Sequence, residues 1–224
     1  MEKKDLEGYL EFFSYLVNCN INKELADLLN AADESQIHTF GWPIGVVLHN
    51  DKGPKPYTQN GIKAIIDDTR RNSFDYWTLD RDGKYYILAS LFEDTRAKKK
   101  IFIDTRTIRT AELFLRTARL YKLLGVPEKE VIACKIEYGG LLDRGLTAAN
   151  PLRAISFSYE RKCSVDVISK EYIEPISQFL NKERLKEIVY EVIKSITEMC
   201  EMFVPSKTEV TDKIVEEFLQ GRIS

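Results

Sequence analysis

Apolar positions along the chain follow two periods, and each change of period marks an element. Leu6, Tyr9, Leu10, Phe13, Leu16 and Val17 fall at helical spacing, which predicts an N-terminal helix over residues 3–17. Asn18–Asn20 break it, and residues 22–32 read as a second short helix with Asn22 placed to cap it. The turn Phe40-Gly41-Trp42-Pro43 launches a continuous apolar run, Ile44–His49, that reads as a strand. Asn50–Tyr57 holds Gly53, Pro54 and Pro56 and is expected to be an extended, exposed loop. Thr58–Arg71 reads as a helix with Ile62, Ile65 and Ile66 inward.

The middle of the chain carries the clearest signal. Phe74–Leu79 and Lys84–Phe92 are aromatic-rich and strand-like, and Arg81-Asp82-Gly83 between them is a hairpin turn. Lys100–Ile103 is the next strand. Asp104 or Thr105 caps a long helix, Thr107–Leu124, that Gly125 ends and Pro127 prevents from resuming. Val131–Tyr138 is a strand broken by Gly139-Gly140, and Leu141–Pro151 is a polar connection. Ile155–Tyr159 and Cys163–Ile168 read as strands about the charged turn Glu160-Arg161-Lys162. Tyr172–Leu180, Lys182–Phe203 and Thr208–Leu219 read as helices.

Strands in the middle and helices at both ends predict an α+β fold. We expect a mainly antiparallel sheet flanked by helices from both termini and by the long central helix. One domain spans residues 1–224: a helical segment over 1–37, a sheet core over 38–170 and a helical segment over 171–224. Strands near 44–48, 74–79, 84–92, 100–103, 131–138 and 163–168 are expected to share one sheet, with the helix over 107–124 covering one face.

Composition narrows the function classes. Hydrophobic residues make up 44% of the 224 positions, charged residues 30%, and the formal net charge is −2. That balance leaves no whole-domain footprint for DNA, so only a local basic stripe could serve. No apolar run reaches bilayer length and no signal peptide is read, so a cytoplasmic, non-membrane protein is expected. Cys19, Cys134, Cys163 and Cys200 are widely spaced and read as small buried hydrophobes. His38 and His49 lack partners at ligand spacing, so no structural metal and no cofactor is expected.

Four groups of residues carry candidate chemistry. Arg109, Arg116, Arg119 and Lys122 recur along the long helix, either as an anion or nucleic-acid contact or as its solvated face, the bland reading being preferred. Arg106 and Arg109 sit where the helix dipole disfavours cations, which suggests pairing with Glu93 or Asp94. Trp42 and Trp77 are stacking candidates set against core packing. A groove for a ligand or partner is expected where the 139–151 connection meets the Trp42 turn, with Arg144 and Arg153 supplying charge. The competing expectation is that Arg144 closes its own loop onto a carboxylate. A divalent-metal nuclease would need two acids and a lysine, and Asp143, Glu160 and Lys162 offer that set. The broad apolar face of residues 182–203 suits either the core or a homodimer interface.

Several of these segments form a wider pattern: Phe40-Gly41-Trp42-Pro43-Ile44-Gly45-Val46-Val47, Phe74-Asp75-Tyr76-Trp77, Tyr86-Ile87-Leu88 with Glu93-Asp94, Gly139-Gly140-Leu141-Leu142-Asp143-Arg144 and Ala149-Asn150-Pro151. Over residues 38–170 the chain resembles the region that follows an AlbA-like, Schlafen-type DNA-binding domain in prokaryotic regulators. The AlbA-like domain itself is absent from this sequence, so its DNA binding does not carry over. The resemblance implies a non-enzymatic ligand-sensing or protein-interaction domain, with an AlbA-like DNA-binding protein as the implied partner. The alternative from the residues alone is the metal-dependent nuclease.

Overall fold

The computed structural model of the chain describes residues 6–68, 73–153 and 160–223. Its elements are β1 (Tyr9–Leu16), α1 (Leu25–Glu34), β2 (Lys55–Thr58), β3 (Gly61–Asp68), β4 (Ser73–Asp80), β5 (Tyr85–Ser90), β6 (Lys100–Phe102), α2 (Ile103–Leu123), β7 (Val131–Gly139), β8 (Gly145–Thr147), β9 (Ile168–Pro175), α3 (Ile176–Leu180), α4 (Lys182–Glu198) and α5 (Lys213–Leu219). The described strands form a seven-stranded sheet, ordered β2-β3-β4-β5-β1-β7-β9, and a separate pair, β6-β8. Every pairing in the large sheet is antiparallel, and β6-β8 is parallel. The fold is α+β.

The predicted hairpin is present. Tyr76 faces Leu88 and Trp77 faces Ile87 across β4 and β5, and the Asp82-Gly83 turn gives Gly83 a φ of +85°. Elsewhere the elements differ from expectation, each for a physical reason. The predicted helix over 3–17 is strand β1 over Tyr9–Leu16, residues 3–5 lying outside the described residues, and it lies between β5 and β7 near the middle of the sheet. Phe12 enters the core while Phe13 stands on the other face, so β1 carries bulky residues on both sides and its sequence lacks the apolar–polar alternation of a strand. The predicted helix over 58–71 is, as far as the described residues reach, the end of β2 and all of β3, where Ile62, Ala64 and Ile66 point inward at period two and Ile65 points out, 47% exposed; residues 69–71 lie outside the described residues.

Residues 44–48 form no strand, because Gly45 has a φ of +62° and the segment bonds to side chains instead of a neighbouring strand. Lys100–Phe102 pairs with β8 and so leaves the large sheet. From 163 to 168 only Ile168 joins a strand, and residues 168–175, half predicted as helix, form β9. The expected strand over 155–159 lies outside the described residues. Cys163 and Cys200 are joined by a disulfide that ties the approach to β9 to the end of α4, so they are not isolated hydrophobes. Cys134 is buried and Cys19 partly so.

One face of the sheet holds the main core, built from residues such as Phe12, Trp77, Leu79, Ile87, Ile132 and Ile136. Helix α2 lies across this face. Phe114 meets Phe12 edge-on at 5.8 Å, Thr110 and Tyr138 share a hydrogen bond of 2.9 Å, and Ser14 and Tyr121 one of 3.1 Å. The opposite face carries a smaller cluster of Tyr9, Phe74 and Leu88 flanked by Leu6, Tyr76 and Tyr86.

Candidate functional site

Helix α2 is buried on all sides through most of its length, charged residues included. Burying charge is costly unless each group is paired and hydrogen-bonded. The chain meets much of that demand by folding loops onto the helix, leaving Arg106 Nε, Arg116 Nε and Arg116 Nη1 without hydrogen-bond partners. Glu112 accepts from Ile44 N at 2.7 Å and from Arg109 Nη1 at 2.7 Å, and Arg109 Nη2 donates to Phe40 O at 2.8 Å with its guanidinium over the Phe40 ring. Arg116 donates to Ala32 O and Gly45 O, each at 3.0 Å. Without a carboxylate beside it, burial pushes Arg116 down to about 9, which still leaves it charged at neutral pH. Trp77 Nε1 donates to Val46 O at 3.0 Å. The 40–47 segment is thus a loop whose backbone groups are answered by core side chains.

The other end of α2 holds the second connection. Asp104 accepts from Ala149 N at 2.8 Å and from Asn150 N at 2.9 Å. Arg106 pairs with Glu93 at 2.7 Å, and Arg144 pairs with Asp94 while donating to Gly140 O and Lys100 O. Glu93 and Asp94 belong to a short helical turn, Phe92–Thr95, after β5.

Between the 40–47 loop and the 92–95 turn lies a cavity of about 670 Å³; no residue of the 139–151 connection lines it, so it is not the groove expected where that connection meets the Trp42 turn. Trp42 and Pro43 of the loop, Phe92 and Asp94 of the turn and Arg106 and Arg109 of α2 contribute to its walls, and its floor is the inner face of the sheet at Leu10, Asp75 and Ala89. The floor stays open because its residues are short. Ala89 lies across from Leu10 on one side and from Asp75 on the other, and Ser73 and Ser90 line the edge.

Asp75 is the unusual group here. It shares the inward face of β4 with Trp77 and Leu79, at a position where the strand otherwise supplies core. Burial pushes its carboxyl up to about 7; Arg109 opposes that shift and Glu112 adds to it. Burial also raises Glu112 above the ordinary carboxylate range, against the pull of Arg109 and of the Ile44 amide.

The sequence-predicted residues distribute as follows. Trp42 lines the cavity and is 43% exposed, whereas Trp77 is fully buried in the core. Arg109 and Arg116 are buried and committed to partners inside the fold, so they form neither a solvated face nor a surface for nucleic acid. Arg119 and Lys122 are exposed on the last turns, with Lys122 paired to Glu128 at 2.6 Å. Arg144 stands behind the cavity wall, 3% exposed, holding the wall residue Asp94. Arg153 lies apart, paired with Glu217 of α5.

Of the nuclease set, Glu160 pairs with Lys100, Lys162 joins Gly145 by a backbone bridge, and Asp143 is exposed at a φ of +62°. Among the described residues, no group of three or more His, Cys, Asp and Glu side chains could hold a metal ion. No described helix is long and apolar enough to cross a membrane.

Sequence reasoning named Trp42 and Arg109 as contacts and Asp94 as an ion-pair partner, but gave Asp75 and Ala89 no role. The available signal was Asp75 itself, an acid in phase with the inward Trp77 and Leu79 on an aromatic-rich strand. The chain matches no family model, no curated protein and no solved structure.

Proposed function

We propose that this chain is a non-enzymatic ligand-sensing domain, accessory to a Schlafen-type regulator whose AlbA-like DNA-binding protein is its partner. The cavity beneath Trp42 carries the ligand-sensing part. Its volume suits a small molecule, and its mixed apolar and polar lining is what orients one. Its walls come from separate segments pinned to one helix, so a bound molecule would bear at once on the 40–47 loop, the 92–95 turn and the start of α2. Such an arrangement lets occupancy change the surface that a partner reads. The Schlafen-type placement rests on the sequence resemblance alone.

Ligand-observed NMR of the full chain against a library of small organic molecules tests the reading. Hits should lose their signal with Ala89→Leu, which fills the floor, while the variant keeps its fold. Hits that bind Ala89→Leu as well as wild type would show that the cavity is not the site. Co-purification with an AlbA-like protein, altered by a cavity-bound hit, tests the partner.

A further inference from the structure

The remaining question is what chemistry the cavity selects, and this inference rests on the ligand-sensing reading above. The charges around it are largely spoken for. Arg106 is held by Glu93, Arg109 by Glu112 and the Phe40 carbonyl, and Asp94 by Arg144. On the inner wall an anionic ligand would have to displace a buried carboxylate from its arginine, which is costly, except at Arg106 Nε, and Arg96 lies outside those pairs only at the exposed rim. Asp75 stands differently: among the described residues no ion pair or hydrogen bond reaches its carboxylate, although it sits on the cavity floor between Ala89 and Ile66. Asp68 and Arg96 stand at the rim, the latter exposed with its guanidinium 4.8 Å from the Phe92 ring centroid.

We infer that the cavity binds a small organic cation, an amine or amidine-type head on an apolar or aromatic body, with the head on Asp75 and the body against Trp42 and Phe92. A carboxylate accepts two parallel N–H bonds from an amidinium, and in a partly desolvated site such charge-assisted pairs are the strong ones. Trp42 and Phe92 add ring faces that favour a cation or a flat body. The burial that raises Asp75 toward neutrality is the same cost an arriving cation would relieve. Glu112 on α2 and Asp94 on the 92–95 turn add negative potential, while Arg106 and Arg109 offset it and keep the site from collecting cations without regard to shape.

The test uses benzamidine, benzamide and benzoate as matched cationic, neutral and anionic probes, titrated into the full chain. Trp42 fluorescence is the readout, since Trp77 is fully buried. Benzamidine should bind at least about tenfold tighter than the other two. Its affinity should rise roughly tenfold between about pH 6 and pH 8 as Asp75 ionises, with proton release measurable by calorimetry in two buffers. Asp75→Asn should abolish the preference while leaving benzamide unaffected. Equal or tighter binding of benzoate or benzamide, removed by Ala89→Leu, would overturn the cationic assignment and leave the cavity reading intact. Probe binding unchanged by Ala89→Leu, or no probe binding at all, would overturn both. If Ala89→Leu fails to fold, Thr95→Trp at the exposed mouth closes the same space without touching the floor.

Discussion

Helices α2 and α4 are both long and rich in charge, yet one is the centre of the molecule and the other its rim. Helix α4 keeps Leu185, Ile188, Val189, Val192, Ile193 and Ile196 on a single buried stripe. Most of its ion pairs are local and reach solvent, as Arg184 with Glu187 at 3.0 Å and Lys194 with Glu198 at 3.5 Å, while Lys182 and Lys186 also meet Glu216 of α5. Helix α2 has no such clean stripe, and Asp104, Arg106, Arg109, Glu112 and Arg116 are all buried along it. The difference lies in what the charges bind. On α4 they mostly meet other side chains within one or two turns, which is worth little. On α2 they meet backbone and side chains from distant loops, and threonines back-bond to the helix, as Thr107 Oγ1 does to Ile103 O and Thr117 Oγ1 to Leu113 O.

The sharpest way to break this comparison is Glu112→Ala. It strands the Arg109 charge and the Ile44 amide inside the core and should cost about 3–5 kcal/mol. Urea unfolding followed by Trp77 fluorescence reads it, and adding Arg109→Met should restore part of the loss. Gly45→Ala comes next. A Cβ there would lie 2.3 Å from Tyr85 Oη and 2.4 Å from Arg116 Nη1, at a φ that L-residues avoid. A loss of about 2–3 kcal/mol is expected in the same assay.

Asp75→Asn should act with opposite sign. The Asp75 carboxyl stands at about 7 when folded against an ordinary value of 3.8, so the unfolded chain gives up this proton first. Its contribution to stability is complete below the unfolded value and is lost as pH rises through the folded one. The variant should therefore gain about 1–2 kcal/mol over wild type near pH 8, the buried amide taking back part of the benefit, and gain little near pH 4. Melting curves across that range decide it. On α4, Arg184→Ala should cost about 1 kcal/mol or less despite its carboxylate partners Glu174 and Glu187. A large loss there would erase the distinction between the two helices.

Sequence pattern resolved elements whose local signals agreed. The β4–β5 hairpin was legible because strand composition and the Asp82-Gly83 turn coincide, and α4 because its apolar stripe is unbroken. It misled where tertiary contacts replace local ones. Strand β1 has aromatics on both faces because its outer side also packs, against Phe74 and Leu88. The 44–48 run is apolar like a strand, but Gly45 and the side chains of Glu112 and Arg116 make it a loop. Arginines on α2 look alike in sequence; whether a carboxylate or a carbonyl waits for each depends on loops far away in the chain. The cavity was legible only through Trp42 and Arg109, since an open floor arises from the register that sets Ala89 beside Leu10 and Asp75.

The placement of β1 has a consequence for the order of assembly. The strands on either side of it, β5 and β7, are made much later in the chain, while β3, β4 and β5 form an uninterrupted meander. Local hairpins close quickly, whereas contacts that span long loops pay their entropy first. The β3–β5 meander should therefore gain amide protection early in refolding, with β1 and β7 protected together and later, as pulse-labelled hydrogen exchange would resolve. Until then the N-terminal strand is an aromatic-rich segment without its neighbours, and the two halves of the sheet wait for it as for a keystone.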